Sequence, residues 1–237
     1  MNEKLFSSEA WETAWHVIQT EFPSAILETL LMTLLSTAIA ILIGLPLGIL
    51  LVAGDKNGVL PLPAWLYRLL NGIIDLLRSV PFLILMIMVF PLSRLLVGTT
   101  VGTTATIVPL AVAAFPFVAR LVEGSLRELD PNLIEAAESM GATPMQIIGK
   151  VMIPESLPSL VSNFTIAVTT VLGYSAMSGI IGGGGLGSIA INYGYYRYKY
   201  LTMLLAVIVL VVIVGVLQFC GTRLAKHLDR RLKNKKS

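Results

Sequence analysis

Asp75 stands three residues before Arg78, near the start of a long apolar segment. An acid inside a membrane span is expensive and is usually kept for ion coupling, so Asp75 is the first candidate for chemistry and reads as the deepest acid in the chain. The same spacing also fits simple pairing across one helical turn. Ser175 and Ser178 offer hydroxyls, but the two histidines, His16 and His227, lie in opposite tails, which leaves no Ser-His nucleophile in the spans. Gly149-Lys150 lacks the G-x-x-x-x-G-K-[ST] frame of a phosphate loop, and "GLGSIA" (185–190) matches a dinucleotide fingerprint in form only, with no strand before it. The single cysteine, Cys220, excludes an internal disulfide and a Cys-rich metal site. No catalytic or metal-ligating residue is expected, and the chain does not read as an enzyme.

The elements that carry these residues are apolar. Only 13% of the residues are charged, about half the share of a soluble domain, and the charge-poor runs are long enough to cross a bilayer. The expected fold is an all-α integral membrane protein with five transmembrane helices, at about 26–52, 73–97, 103–122, 157–181 and 201–220. The net charge of +3 is no nucleic-acid signature, because the basic residues gather at one end. Residues 1–25 form an N-terminal segment in which Trp11, Trp15, Ile18 and Phe22 share one helical face, as in a helix lying on the membrane surface; a loosely ordered tail is the alternative. Residues 221–237 form a basic tail. By the positive-inside rule that tail is cytoplasmic and the N-terminus outside. Lys56, Arg68, Arg78, Arg120, Arg127, Lys150 and seven tail residues then lie inside, against Lys4, Arg94, Arg197 and Lys199 outside. Tyr193, Tyr195, Tyr196, Tyr198 and Tyr200 fit an aromatic belt at the outer end of the fifth span. Membrane lipid is thus the first expected partner.

The longest internal loop, about 121–156, is wet and helical. Good helix formers run from Pro131 to Met140, Gly141 fits a helix C-cap, and Thr143-Pro144 fits an N-cap followed by Pro at the first helical position. A second short helix is expected at 144–151, with Pro154 and Pro158 closing the loop before the fourth span. Ala136, Ala137, Gly141 and Ala142 are small enough to admit another protein, and Glu135 and Glu138 share a face. In the spans, Gly44 and Gly48 form a GxxxG, and Ser175, Gly179, Gly183 and Gly187 repeat every fourth residue, suited to close helix packing or to a hinge. The flexible Met177, between Ser175 and Gly179, reads either as core filler or as a gate, and Tyr174 and Ser175 could hydrogen-bond a passing solute.

The run Glu135-Ala136-Ala137, three residues, Gly141, nine residues and Val151-Met152-Ile153-Pro154 resembles the EAA loop of type I ABC-importer permeases, whose usual form ends in Ile-x-Leu-Pro. "ETLLMT" (28–33), "IGLPLGILL" (43–51), "RSVPFLIL" (78–85), "GATPMQII" (141–148) and "GYSAMSG" (173–179) are similar to the methionine-importer permease subfamily, over about residues 26–220. The resemblance implies the type I importer transmembrane fold in the cytoplasmic (inner) membrane of a bacterium. It implies a permease that moves an amino acid, methionine foremost, as a pair with a second copy of itself. The further partners implied are two cytoplasmic ABC ATPase subunits, which bind ATP and Mg, and an extracytoplasmic substrate-binding protein. This chain itself would hold no cofactor. Residues about 142–148 would form the coupling helix, so Glu135, Ala136, Ala137, Gly141, Ala142, Thr143, Pro144 and Met145 are the ATPase-coupling candidates. Met177, Tyr174, Ser175 and Gly179 are the pathway and gate candidates. The competing reading is a self-sufficient ion-coupled carrier or channel, which would need Asp75.

Overall fold

The computed structural model describes residues 7–229, and every described element is helical. Lys4 and the tail residues Arg230, Arg231, Lys233, Lys235 and Lys236, on which the charge asymmetry draws, lie outside the described residues. Ten α-helices follow in order: α1 (Ser8–Thr20), α2 (Phe22–Ala53), α3 (Ala64–Ser79), α4 (Phe82–Val97), α5 (Thr103–Arg127), α6 (Pro131–Ser139), α7 (Pro144–Ile147), α8 (Ile153–Ser178), α9 (Gly185–Ile189) and α10 (Tyr200–Leu228). A π-helical turn, Ile148–Met152, joins α7 to α8, and a second, Ala190–Tyr196, follows α9. The helical runs 22–53, 103–127, 144–181 and 200–228 are each long and apolar enough to cross a membrane.

The expected span at 73–97 is not one helix. Helical geometry stops at Ser79, Val80 and Pro81 are extended, and the chain turns by 112° into α4. Proline disfavours the α region for the residue before it, which favours the break at Val80. Pro154 and Pro158 do the opposite of what the sequence suggests. They do not close a loop; the helix runs on from Pro144 to Ile181. Pro154 is the second residue past the π turn, where the hydrogen-bond register has already shifted and a missing N–H costs least.

The described residues form two compact units. In the first, which holds residues up to Thr37, 81–112 and 168–217, Val17, Phe22 and Ala25 pack with Leu186, Ile189 and Ala206. Ala10 and Ala14 pack with Leu201. The N-terminal helix is therefore docked, not loose. Its docking face is Ala10-Ala14-Val17, one strip round from the predicted Trp face, and it leaves Trp11 and Trp15 exposed. The Tyr193 hydroxyl donates to the Glu21 carboxylate at 2.5 Å and fastens the end of α1 to the segment before α10. That bond, with burial second, holds the phenol above its usual range. The bond therefore contributes fully below the ordinary tyrosine pKa and is lost as pH rises through the raised one. Tyr193→Phe is expected to lower stability by about 1.5–3 kcal/mol, as for a hydrogen bond to a charged group. Unfolding in detergent at neutral pH and above pH ~10 checks this, since the difference between the two proteins should shrink at the higher pH.

In the second unit, which holds 38–80, 113–167 and the described residues from Gln218 on, Leu51, Ile74 and Ala119 form a core with Leu47 and Leu70 around it. The GxxxG of α2 is what brings α5 close. A Cβ on Gly44 would lie 2.8 Å from the Phe115 carbonyl oxygen, and one on Gly48 would lie 2.6 Å from that of Ala119. Small residues at a helix contact do in lipid what apolar burial does in water.

Candidate functional site

The wet loop is built as a rigid turn. Asp130 caps α6, its carboxylate accepting from the Asn132 N–H at 3.0 Å, and Pro131 takes the first helical position. At the other end the Gly141 N–H donates to Glu138 O at 2.9 Å and the Ala142 N–H to Ala137 O at 3.1 Å, the paired bonds of a Schellman motif. Gly141 sits at φ +76°, which a side chain would strain. Thr143 is extended, its N–H donates to Gln146 Oε1 at 2.9 Å, and Pro144 opens α7. Ala137, Ile147, Ile148 and Met152 are buried anchors, whereas Glu135, Ala136, Glu138 and Gly141 are exposed. Met140 is 81% and Met145 71% exposed. A fixed turn that presents two bare methionines and two carboxylates has the composition of a protein-docking surface, because such side chains gain by being covered. The short helix itself is 144–147; the rest of the expected 142–148 is its cap and the start of the π turn.

The same unit holds a charge network that sequence spacing alone does not give. Arg120 donates to Asp75 at 2.8 Å and to Glu123 at 2.6 Å. Arg127 donates to Glu123 at 2.9 Å and to Asp55 at 3.0 Å. Arg78, the expected partner of Asp75, stands 3.9 Å from it and is the weaker contact. The Arg127 guanidinium is the main reason the Asp55 carboxyl lies below the usual carboxylate range. Asp75 is thus an exposed member of an ion-pair network rather than a lone acid in a span, which counts against its use as an ion-coupling site. The only sequence signal for the network was the i, i+3, i+7 spacing of Arg120, Glu123 and Arg127.

At the far end of α8 the four-residue repeat does not form one face. The helix ends at Ser178, a 3-10 turn (Gly179–Ile181) follows, and Gly182, Gly184 and Gly185 take φ of +80°, +83° and +71°. The chain folds back so that Gly187 lies against Ala176, and a Cβ on Gly179 would lie 2.5 Å from the Ser188 nitrogen. Glu28 and Thr29 fasten this hairpin: the Gly185 N–H donates to Glu28 Oε2 at 2.7 Å and the Leu186 N–H to Thr29 Oγ1 at 2.9 Å. Glu28 is an acid within the first span that the sequence reading passed over, and its place beside an apolar run with Thr29, Thr33 and Thr37 was the available signal. The predicted gate residues separate here. Met177 is 46% exposed, Tyr174 stacks on Phe82 at 4.5 Å, and Gly179 is buried at the fold-back. Ser175 is buried and its hydroxyl donates to Leu172 O at 2.8 Å, so it faces no open surface in this chain.

The family model for the binding-protein-dependent transport system inner membrane component matches residues 44–234. The chain belongs to that family. The family is a multi-pass membrane permease of ABC importers whose ATPase lies on a separate subunit, so the chain is a transport component and not an enzyme. It is 47% identical over 188 residues to the probable D-methionine transport system permease protein MetI of Vibrio cholerae, covering 79% of this chain and 83% of that one. To the protein of the same name from Haemophilus influenzae it is 44% identical over 217 residues, covering 92% and 100%. Among solved structures it is similar to the inward-facing MetNI methionine ABC transporter, with 42% identity, a TM-score of 0.86, and coverage of 97% of this chain and 100% of that one. The family region takes in the Schellman turn, the charge network and the glycine hairpin, while α1 and the Glu28–Thr29 clasp lie before it.

Proposed function

We propose that this chain is the permease subunit of an ATP-driven importer of methionine, working as a symmetric pair with two cytoplasmic ATPases and fed by an extracytoplasmic binding protein. The exposed turn at Met140–Met145, rigid at its caps and bare on its outer side, is the observation that carries the reading. Glu135, Ala136, Gly141, Ala142, Thr143, Pro144 and Met145 form the docking element, and Ala137, expected to share in it, is buried beneath it as an anchor. Glu135 and Glu138 offer charge to basic groups, and Ala136 and Gly141 allow close approach. ATP and Mg bind on the partner subunit and supply the energy. What this chain supplies is a docking turn that is continuous with a span, since α7, the π turn and α8 are one helical run. In this reading residues 1–25 are an extracytoplasmic segment, 26–220 the transport domain and 221–237 a cytoplasmic tail.

The path lies between the two copies, where α8 exposes Met177. A flexible, unbranched side chain facing its symmetry mate closes an opening without fixing its shape. Met177→Gly is expected to raise leakage of small solutes from proteoliposomes by about tenfold, with folding unchanged, because the side chain is half exposed and supports little packing. Wild-type leak in that variant would return Met177 to the rank of packing residue.

The deciding experiment is gentle purification of the tagged chain and identification of what stays bound. An ABC ATPase in equal amount supports the importer. A chain that comes out alone and moves methionine alone in liposomes is the ion-coupled carrier instead.

A further inference from the structure

We propose that α3 lies along the membrane surface and is a binding face for anionic phospholipid headgroups. Three strips run its length. Leu70 and Ile74 pack on Leu47, Leu51 and Ala119. Arg68, Asn71, Asp75 and Arg78 occupy the second strip, from the second turn to the last. Trp65, Leu69, Ile73 and Leu76 occupy the third and are exposed, Trp65 to 68% and Leu76 to 69%.

The occupant follows from the order of these strips. A helix that enters the hydrocarbon core end-on carries charge at one end, whereas α3 carries it throughout and cannot be immersed along its axis. A helix in the plane of the interface turns one side to lipid, one to water and, when docked, one to its own protein. Trp at its start and arginines on its wet side are the residues that interfaces select. The extended pair Val80-Pro81 lets α3 stop and α4 begin at the edge of the bilayer. Arg120 holds Asp75 at 2.8 Å, which offsets the one acid of the wet strip. Among the described residues Arg68 has no ion pair and Arg78 only a 3.9 Å contact, so both guanidinium groups can take phosphate. Each basic group near an anionic surface attracts it by enough to matter at physiological salt. α3 thereby fixes the depth at which the Asp75–Arg120 end of the charge network sits.

The full chain with Trp11→Phe and Trp15→Phe keeps Trp65 as its one tryptophan, both replaced rings being exposed. In vesicles of phosphatidylcholine brominated near the headgroup or near the chain end, Trp65 emission is expected to fall at least about twofold more with the shallow bromines. Arg68→Gln and Arg78→Gln are expected to weaken retention of phosphatidylglycerol by about fivefold each. Stronger quenching by the deep bromines would put α3 through the core. No quenching by either would mean that protein, a second copy of this chain, covers the face. Unchanged phosphatidylglycerol retention would remove the headgroup site. Each of these three overturns the proposal.

Discussion

Gly141→Asp leaves the chain folded in the membrane and lowers ATP-driven uptake by at least about thirtyfold. The two halves of this expectation have separate causes. Nothing lies within 4 Å of a Cβ at Gly141, so the new side chain meets no atom of its own chain. What it meets is backbone strain at φ +76°, about 1–2 kcal/mol for an ordinary residue and less for Asp, whose short polar side chain tolerates the left-handed region. The fold survives that. The docking face does not, because the carboxylate projects from the apex of the turn between exposed Met140 and Met145. A charge buried without a partner at an interface costs about 2–5 kcal/mol, and 2 kcal/mol is already about thirtyfold in binding. Gly141→Asn carries nearly the same backbone strain without the charge and should retain most uptake. Uptake and ATPase retention measured on both variants separate the causes. Equal loss in the two would assign the effect to the turn's geometry, and full uptake in Gly141→Asp would show that the apex touches no partner.

Gly187→Ala is expected to be worse than its single methyl implies. The added Cβ would meet the backbone of Ala176, its carbonyl oxygen and Cα, with nothing flexible to yield. Overpacking a filled site costs about 1–3 kcal/mol, and a collision with backbone belongs at the top of that range, roughly a hundredfold fall in the closed-hairpin population. Gly173→Ala is the control. It is the same change inside α8, where a Cβ meets nothing within 4 Å, and it should stabilise by up to ~1 kcal/mol through helix propensity alone. Thermal unfolding in detergent should rank the proteins Gly173→Ala, wild type, Gly187→Ala. A Gly187→Ala protein as stable as wild type would mean that the hairpin does not close as tightly in the membrane as it does here.

The sequence by itself determined the helical class, the presence of a long apolar helix at four of the five expected segments though not their ends, and the turn at 139–144. These are legible because their causes are local. Hydropathy is a sum over neighbours in sequence, and Gly141, Thr143 and Pro144 each impose their own backbone angles whatever lies around them. Tertiary structure decided where locality fails. Pro81 breaks a helix while Pro158 sits inside one, because the neighbouring hydrogen-bond register and packing decide whether a missing N–H is tolerated. Asp75 is bound more closely by Arg120, 45 residues on, than by Arg78 three residues on, because the packing of α3 on α5 brings the distant guanidinium nearer. Ser175 through Gly187 reads as one stripe in sequence but folds into a hairpin, because glycines at positive φ reverse the chain and Glu28 and Thr29 hold it there. In each case the deciding partner stands far away in the chain, and only the folded molecule brings it within reach.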